Sequence, residues 1–182
     1  MTTETDNIEA VTKISKSDRL ILLEYGFTIS ALTGKSIREL IENGDLPISE
    51  YKINPDLIPD YVLDERSRVS EVAYDLKHLF IPHSNKTSYE DQRRMLDEET
   101  KSLRDLGVQS MNAYMVSIAD AAQIAAIELK YEPERRIFGQ KFVSDEYTRY
   151  PWVRTSTPSG SDAVIIGCDD LDILLDSSGR GP

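Results

Sequence analysis

The sequence predicts a mainly α-helical domain of about five helices, with a small C-terminal β element and flexible termini. Apolar residues recur at helical spacing in several segments that end at glycine or proline. Residues 118–129 are apolar on nearly every side, as expected of a central, covered helix. After Glu132-Pro133, short apolar pairs alternate with polar residues, which is typical of strands. The expected segments are a flexible acidic arm (1–16), a helical domain with a short β segment near 136–143 (17–154), and a linker with an acidic-aliphatic C-terminal segment (155–182).

Composition restricts the partners that the chain can have. Its 182 residues carry a formal net charge of −11, so phosphate backbones and anionic membrane surfaces repel it. The single cysteine excludes an internal disulfide and a thiolate zinc site, and it fits a reducing compartment. The opening stretch MTTETDNIEA is unlike a signal peptide, and no apolar run approaches the roughly 20 residues of a membrane span. We therefore expect a cytoplasmic or otherwise intracellular protein with no membrane partner and no cofactor.

The first two helices follow from their capping and stop signals. Ser17-Asp18 cap an apolar run, and Gly26 ends it. A second helix is expected over residues 35–43, ending at Asn43-Gly44 ahead of Pro47. The apolar residues of the two helices are Leu20, Ile21, Leu22, Leu23 and Tyr25, and then Ile37, Leu40 and Ile41.

Two further helices are expected in the middle of the chain. Residues 48–63 contain prolines and little periodicity, so they should form an extended connector. A third helix, over residues 64–80, carries one apolar stripe. A fourth, highly charged helix opens at Ser88 and runs to about Leu106, where Gly107 ends or kinks it. The stripe of the third helix consists of Val69, Val72, Ala73, Leu76, Leu79 and Phe80.

The strongest periodic signal lies in residues 108–129, where apolar residues alternate in steps of three and four. This spacing is typical of the a/d seam of paired helices. The partner across the seam is either a neighbouring helix of the same chain or a helix of another copy. Within the seam, the candidate partner-binding residues are Met111, Met115, Ile118, Ala122 and Ala125.

The triplet Gly34-Lys35-Ser36 matches the end of a nucleotide-binding P-loop but not its beginning. The motif requires a glycine five residues before Gly34, and Ile29 stands at that position. Without the paired glycines, the backbone amides cannot wrap around a phosphate.

The same stretch resembles part of a small DNA-binding protein. Residues 18–47 read as helix, turn and second helix, and TGKSIRELI followed by GDLP is similar to the turn and second helix of excisionase-like regulators. That resemblance implies DNA contacts by Lys35, Ser36 and Arg38. The alternative is a capped amphipathic helix whose apolar side packs into the core. Residues 13–52 hold equal numbers of acidic and basic side chains, which disfavours a nucleic-acid partner.

The C-terminal segment alternates acidic and aliphatic residues, as short docking segments do. Val164-Ile165-Ile166 followed by Asp169-Asp170 resembles a SUMO-interacting motif, and Leu171–Leu175 resembles an LxxLL box. The alternative is a terminal β-strand packed on the domain, because aliphatic residues this dense favour burial. The candidate partner-binding residues here are Val164, Ile165, Ile166, Leu171, Leu174 and Leu175.

Candidate catalytic groups are few. Glu71, Asp75 and His78 share one face of the predicted third helix at a spacing that could hold a metal, but a surface helix of mixed charge produces such triplets by chance. Cys168 lies beside two aspartates, which disfavour its thiolate form. We predict no catalytic, cofactor-binding or metal-binding residue and expect that the chain is not an enzyme.

These patterns favour a non-enzymatic protein–protein interaction or assembly protein that uses the 108–129 helix and the C-terminal segment. Its partner would be another protein or a second copy. One alternative is a small helix-turn-helix DNA-binding regulator using residues 18–47. Another is a virus- or phage-encoded accessory or structural protein, a class in which small acidic helical chains are common.

Overall fold

Strands contribute more of this fold than the sequence indicated. In a computed structural model of the chain, the structure describes residues 13–46, 58–75, 87–131, 142–143, 148–149, 152–159, 162–169 and 172–176. The helices are α1 (Lys16–Glu24), α2 (Ile37–Glu42), α3 (Asp60–Leu63), α4 (Tyr89–Asp105) and α5 (Ile118–Tyr131). The strands are β1 (Thr28–Ala31), β2 (Glu71–Tyr74), β3 (Phe142–Val143), β4 (Thr148–Arg149), β5 (Trp152–Ser159), β6 (Asp162–Asp169) and β7 (Asp172–Asp176).

The prediction of a mainly α fold is wrong, because helices and antiparallel strands share the described chain. The strands form three antiparallel sheets, in the orders β1-β2, β3-β4 and β5-β6-β7. The error lies in short apolar runs, which periodicity alone cannot assign to a helix or a strand. The architecture is that of an α+β protein.

Strand β2 occupies residues 71–74 of the helix predicted over residues 64–80, and none of the described residues 64–75 is helical. It pairs antiparallel with β1, so that Ile29 lies opposite Ala73 and Ser30 opposite Val72. Val72 is buried in the core, and β-branched residues in both strands fit a pleated, half-buried surface. The rest of the predicted helix, residues 76–80, lies outside the described residues.

Helices α2 and α4 begin where their capping signals predict them, and α1 covers its predicted apolar run but begins earlier. Ser15, rather than Ser17, caps α1, and its Oγ accepts the N–H of Asp18 at 3.1 Å. Ser88 caps α4, and Gly107, at a φ of +95°, follows its last turn in a left-handed conformation. The predicted connector over residues 48–63 is described only at its end, where α3 forms.

The main core is built around α5. Every residue from Ile118 to Ala126 is buried, and the helix packs against α2, β5 and β6. A second, smaller cluster consists of Ile14, Leu22 and Val108. The other buried members of the main core are Leu32, Ile37, Leu40, Leu46, Val62, Leu63 and Val72.

The seam predicted over residues 108–129 is not one helix. Helix α5 begins only at Ile118, and residues 108–117 form no regular element. The boundary is set by a reciprocal cap: the N–H of Asp120 donates to Ser117 Oγ at 3.1 Å, and the N–H of Ser117 donates to Asp120 Oδ2 at 3.3 Å. Side-chain acceptors of this kind take the amides that an earlier helical turn would otherwise engage.

The C-terminal strands form an antiparallel meander. Strand β5 includes residues 155–159, where the sequence predicts a linker, and Thr155 and Thr157 are buried. The N–H of Ser156 donates to the carbonyl of Val116 at 2.8 Å, so the meander is tied to the segment ahead of α5. The β segment predicted near 136–143 overlaps β3 at its end, while residues 132–141 lie outside the described residues.

Candidate interaction surfaces

The candidate DNA-contacting residues lie at the start of α2, where each is engaged within the chain. Ser36 is buried and forms a capping box with Glu39. Lys35 Nζ lies 2.6 Å from Asp45 Oδ2. Arg38 donates to Asp64 Oδ1 at 2.6 Å and to Asp60 Oδ1 at 2.7 Å.

These ion pairs neutralise the cations that a phosphate backbone would need. The hydrogen bond from Arg38 lowers the pKa of Asp64, and the bond from Lys35 lowers the pKa of Asp45. The side chain of Arg66 lies 2.5 Å from Glu39 and lowers the pKa of that carboxyl group. A surface with alternating charges of this kind offers no concentrated positive potential.

Residues 18–47 also place strand β1 between their two helices, an arrangement unlike the short turn of a helix-turn-helix. Helix α2 has only six residues, which is short for a recognition helix. DNA contact by Lys35, Ser36 and Arg38 stays a prediction, and no contact in the described part of the chain favours it.

The side chain of Gln123 in α5 forms hydrogen bonds with the turn that contains Gly34-Lys35-Ser36. Gln123 is 2% exposed. Its Oε1 accepts the N–H and the hydroxyl of Thr33 at 2.7 and 3.1 Å, and its Nε2 donates to the carbonyl of Lys35 at 3.0 Å. A cavity of about 400 Å³ beside the turn is lined by Leu40 and Ala126 among others. The turn is therefore a structural joint between β1, α2 and α5.

The seam residues separate into two environments. Ile118, Ala122 and Ala125 lie together in the main core and are almost fully buried, whereas Met111 packs at the edge of the smaller cluster. Met115, which lies ahead of α5, is half-buried. A partner could reach the three core residues only by displacing elements of the same chain. Of the alternatives stated for the seam, burial favours packing within the chain, and the partner-binding role stays a prediction.

The C-terminal candidates lie in strands that are already paired. Ile165 and Ile166 of β6 have partners in both β5 and β7, so their backbone groups are used on both sides. Val164 lies in the same strand. Leu174 and Leu175 lie in β7, which is an edge strand of the described sheet. Leu171 lies outside the described residues. Docking by strand addition would thus be open at β7 but not at β6.

Among the described residues, α1 carries two large apolar side chains that are exposed, although the sequence marks them only as part of an apolar run. Leu20 is 63% exposed and Leu23 is 53% exposed, three residues apart on one helix face. Tyr25, at the end of the helix, is 56% exposed. A signal was present: the run LILLEY contains more apolar positions than one side of a nine-residue helix can bury.

Two carboxylates decide which face of α1 points inward. Asp18 is buried beside Leu22 and accepts the backbone N–H groups of Gln109 and Ser110 at 3.2 and 2.8 Å. Glu71 of β2 accepts from Arg19 at 2.7 Å and from the N–H of Ile14 at 3.0 Å. With these contacts made, Leu20 and Leu23 face away from the body.

Glu71 and Asp75, the first two members of the candidate metal triplet, therefore do not lie on a helix. Within the described ranges, no cluster of three or more histidine, cysteine, aspartate or glutamate side chains could hold a metal ion. His78 and Cys168 Sγ lie beyond what the structure describes.

A buried hydrogen-bond relay joins the meander to the body near the start of α5. Thr157 Oγ1 accepts the N–H of Ile118 at 2.9 Å and donates to Glu65 Oε2 at 2.6 Å. Burial raises the pKa of Glu65, and the nearby Asp120 carboxylate adds to the effect, although the bond from Thr157 opposes it. Glu65 therefore binds its proton more tightly in the folded chain than in the unfolded chain.

The raised pKa of Glu65 predicts a stability that falls as pH rises. The stabilising contribution of its proton is complete below the unfolded pKa, near 4.5, and is lost as pH rises through the folded pKa. The variant Glu65→Gln keeps an acceptor for Thr157 and removes this titration. We expect urea unfolding from pH 4 to pH 8 to show the wild type losing stability relative to Glu65→Gln. A constant difference across that range would contradict the assignment.

The chain matches no protein-family model, no curated protein and no solved structure at a significant level. None of the described helices is both long and apolar enough to cross a membrane.

Proposed function

We propose that this chain is a non-enzymatic interaction or assembly protein that docks a protein partner on the outward face of α1. The observation that carries the proposal is the exposure of Leu20 and Leu23 on one face of α1, with Tyr25 exposed at its C-cap. Single exposed apolar residues are ordinary, but adjacent large ones on one face are typical of interaction sites.

The surroundings of α1 support a docking role. The helix is fixed to the body by Asp18 and Arg19, so its outward face is presented on a rigid support. Burying a leucine side chain is worth about 1.5–3 kcal/mol, so two such residues would contribute a useful share of a moderate affinity. The flanking residues Lys16 and Glu24 are exposed and charged, which resembles the polar rim around an apolar centre.

The double variant Leu20→Gln, Leu23→Gln tests this proposal. Glutamine has a helix propensity close to that of leucine, so α1 should still form. We expect proteins retained from a native-host lysate by the immobilised chain to fall at least tenfold with the variant. Thermal unfolding should be unchanged within about 2 °C, because both side chains are already exposed.

The matched control is Glu98→Gln, Lys101→Gln on the exposed side of α4. It should retain the same proteins as the wild type. Equal retention by the wild type and by the α1 variant would contradict the proposed docking face.

A further inference from the structure

We propose that the partner of α1 is a second copy of this chain, with the two α1 helices packed antiparallel across a two-fold axis near Leu20. The inference rests on the docking role proposed for α1 and adds the identity of the partner.

A stripe of exposed residues on α1 is complementary to itself. Lys16, Leu20 and Glu24 follow each other at four-residue spacing on one face, with Leu23 beside them, and all are exposed. In an antiparallel pair centred on Leu20, Lys16 of one copy lies opposite Glu24 of the other, and the symmetry repeats that pair. Two-fold interfaces require such self-complementarity.

The charges on this stripe are the reverse of what an isolated helix favours. A helix gains stability from acidic residues at its first turn and basic residues at its last turn. Helix α1 carries Lys16 at its start and Glu24 at its end, with no basic residue in its last turn. An antiparallel neighbour removes the conflict, because its Glu24 lies beside the Lys16 end of the first helix.

The other charged side chains in the first half of α1 that lie between Lys16 and Leu20 already form contacts within the chain. Arg19 pairs with Glu71, and Asp18 is buried against Ser110. Within the described part of the chain, Lys16 and Glu24 form no ion pair. These two residues are therefore the charges that set the orientation of the second copy.

The contact is small, so the association is weak. A helix of nine residues is about 13 Å long, and interfaces below about 1,200 Å² are transient. We expect half-dimerisation at roughly 10⁻⁴ M, which corresponds to the low end of specific affinities.

Sedimentation equilibrium of the full chain between about 20 and 500 µM tests the inference through charge reversal. Lys16→Glu and Glu24→Lys should each weaken dimerisation about tenfold, because two attractive pairs become two repulsive ones. The double variant should recover the wild-type dissociation constant within about threefold, and an equimolar mixture of the two single variants should form a heterodimer. The swap Glu98→Lys, Lys101→Glu on α4 serves as the control and should change nothing. Each α1 reversal also brings the charges into line with the helix dipole, so loss of dimer cannot reflect loss of the helix.

A wild-type chain that stays monomeric up to 500 µM, or a double variant that remains as weak as the single ones, would overturn the second copy as partner. The proposed docking face would survive that result if the lysate experiment still depended on Leu20 and Leu23. Loss of both effects would remove both proposals.

Discussion

Replacing Asp18 with alanine is expected to lower the free energy of unfolding by about 3 kcal/mol, because a buried carboxylate that accepts several hydrogen bonds would be lost. Asp18 is 2% exposed and accepts the N–H of Gln109, and both the N–H and the hydroxyl of Ser110. Alanine would leave these donors unpaired at the contact between α1 and the segment after α4. Urea unfolding at pH 7 measures the loss.

The control for this variant is Asp97→Ala on the exposed side of α4, which should change stability by less than about 0.5 kcal/mol.

Burial alone would raise the pKa of Asp18, but its hydrogen bonds from Ser110, Gln109 and Ser15 outweigh that effect and lower the pKa. The stability contributed by the carboxylate is present above its unfolded pKa, near 3.8, and is lost as pH falls through the folded pKa. The difference in the free energy of unfolding between the wild type and Asp18→Ala should therefore become smaller below pH 4. A difference in the free energy of unfolding of less than about 1 kcal/mol at pH 7 would contradict the stabilising role of the Asp18 carboxylate.

Replacing Gln123 with methionine is expected to cost about 2–3 kcal/mol, because methionine keeps the length of the side chain but cannot form its hydrogen bonds. The N–H of Thr33 would lose its 2.7 Å acceptor, and the carbonyl of Lys35 would lose its 3.0 Å donor. These groups lie in the turn that joins β1 to α2, so the start of α2 should loosen. Urea unfolding measures the cost, and amide exchange of residues 33–40 locates it.

The exposed Gln109 provides the matched control, since Gln109→Met changes the same chemistry away from the core. We expect that variant to remain within about 0.5 kcal/mol of the wild type. Similar costs for the two variants would mean that the contacts of Gln123 contribute nothing specific to the turn.

Capping residues made two helices, α2 and α4, predictable. Ser36 with Glu39, and Ser88 with Asp91, mark the starts of α2 and α4, and Gly107 marks the end of α4. Such signals involve neighbours in sequence, so they can be recognised without knowing the fold.

Strands formed between distant residues were not predictable in the same way. The run around Val72 fits either a helix stripe or a strand, and only its pairing with β1, some 40 residues away in sequence, makes it a strand. The seam was misassigned for a local reason: Ser117 and Asp120 cap α5 in the middle of an apolar repeat that otherwise continues. The apolar repeat predicts a single helix, but the capping pair within it lets α5 begin only at Ile118.

The candidate surfaces also depend on contacts between residues that are distant in sequence. Composition disfavoured nucleic acid, and the ion pairs of Lys35 and Arg38 are consistent with that expectation. The run LILLEY indicates that some apolar residues of α1 must be exposed but not which ones, because the orientation of the helix depends on contacts from Asp18 to residues more than 90 positions later. Which leucine of an apolar run is exposed is therefore a property of the tertiary structure.

Hydrogen exchange of the full chain at about 20 and 500 µM tests the central claim most directly, because amide protection reports both burial and docking. We predict that residues 118–126 of α5 are strongly protected to the same degree at both concentrations, since they form the core of each single chain. Residues 16–24 of α1 should become more protected at the higher concentration. Protection of α5 that appears only at high concentration, with α1 unchanged, would contradict the account and make α5 the interface instead.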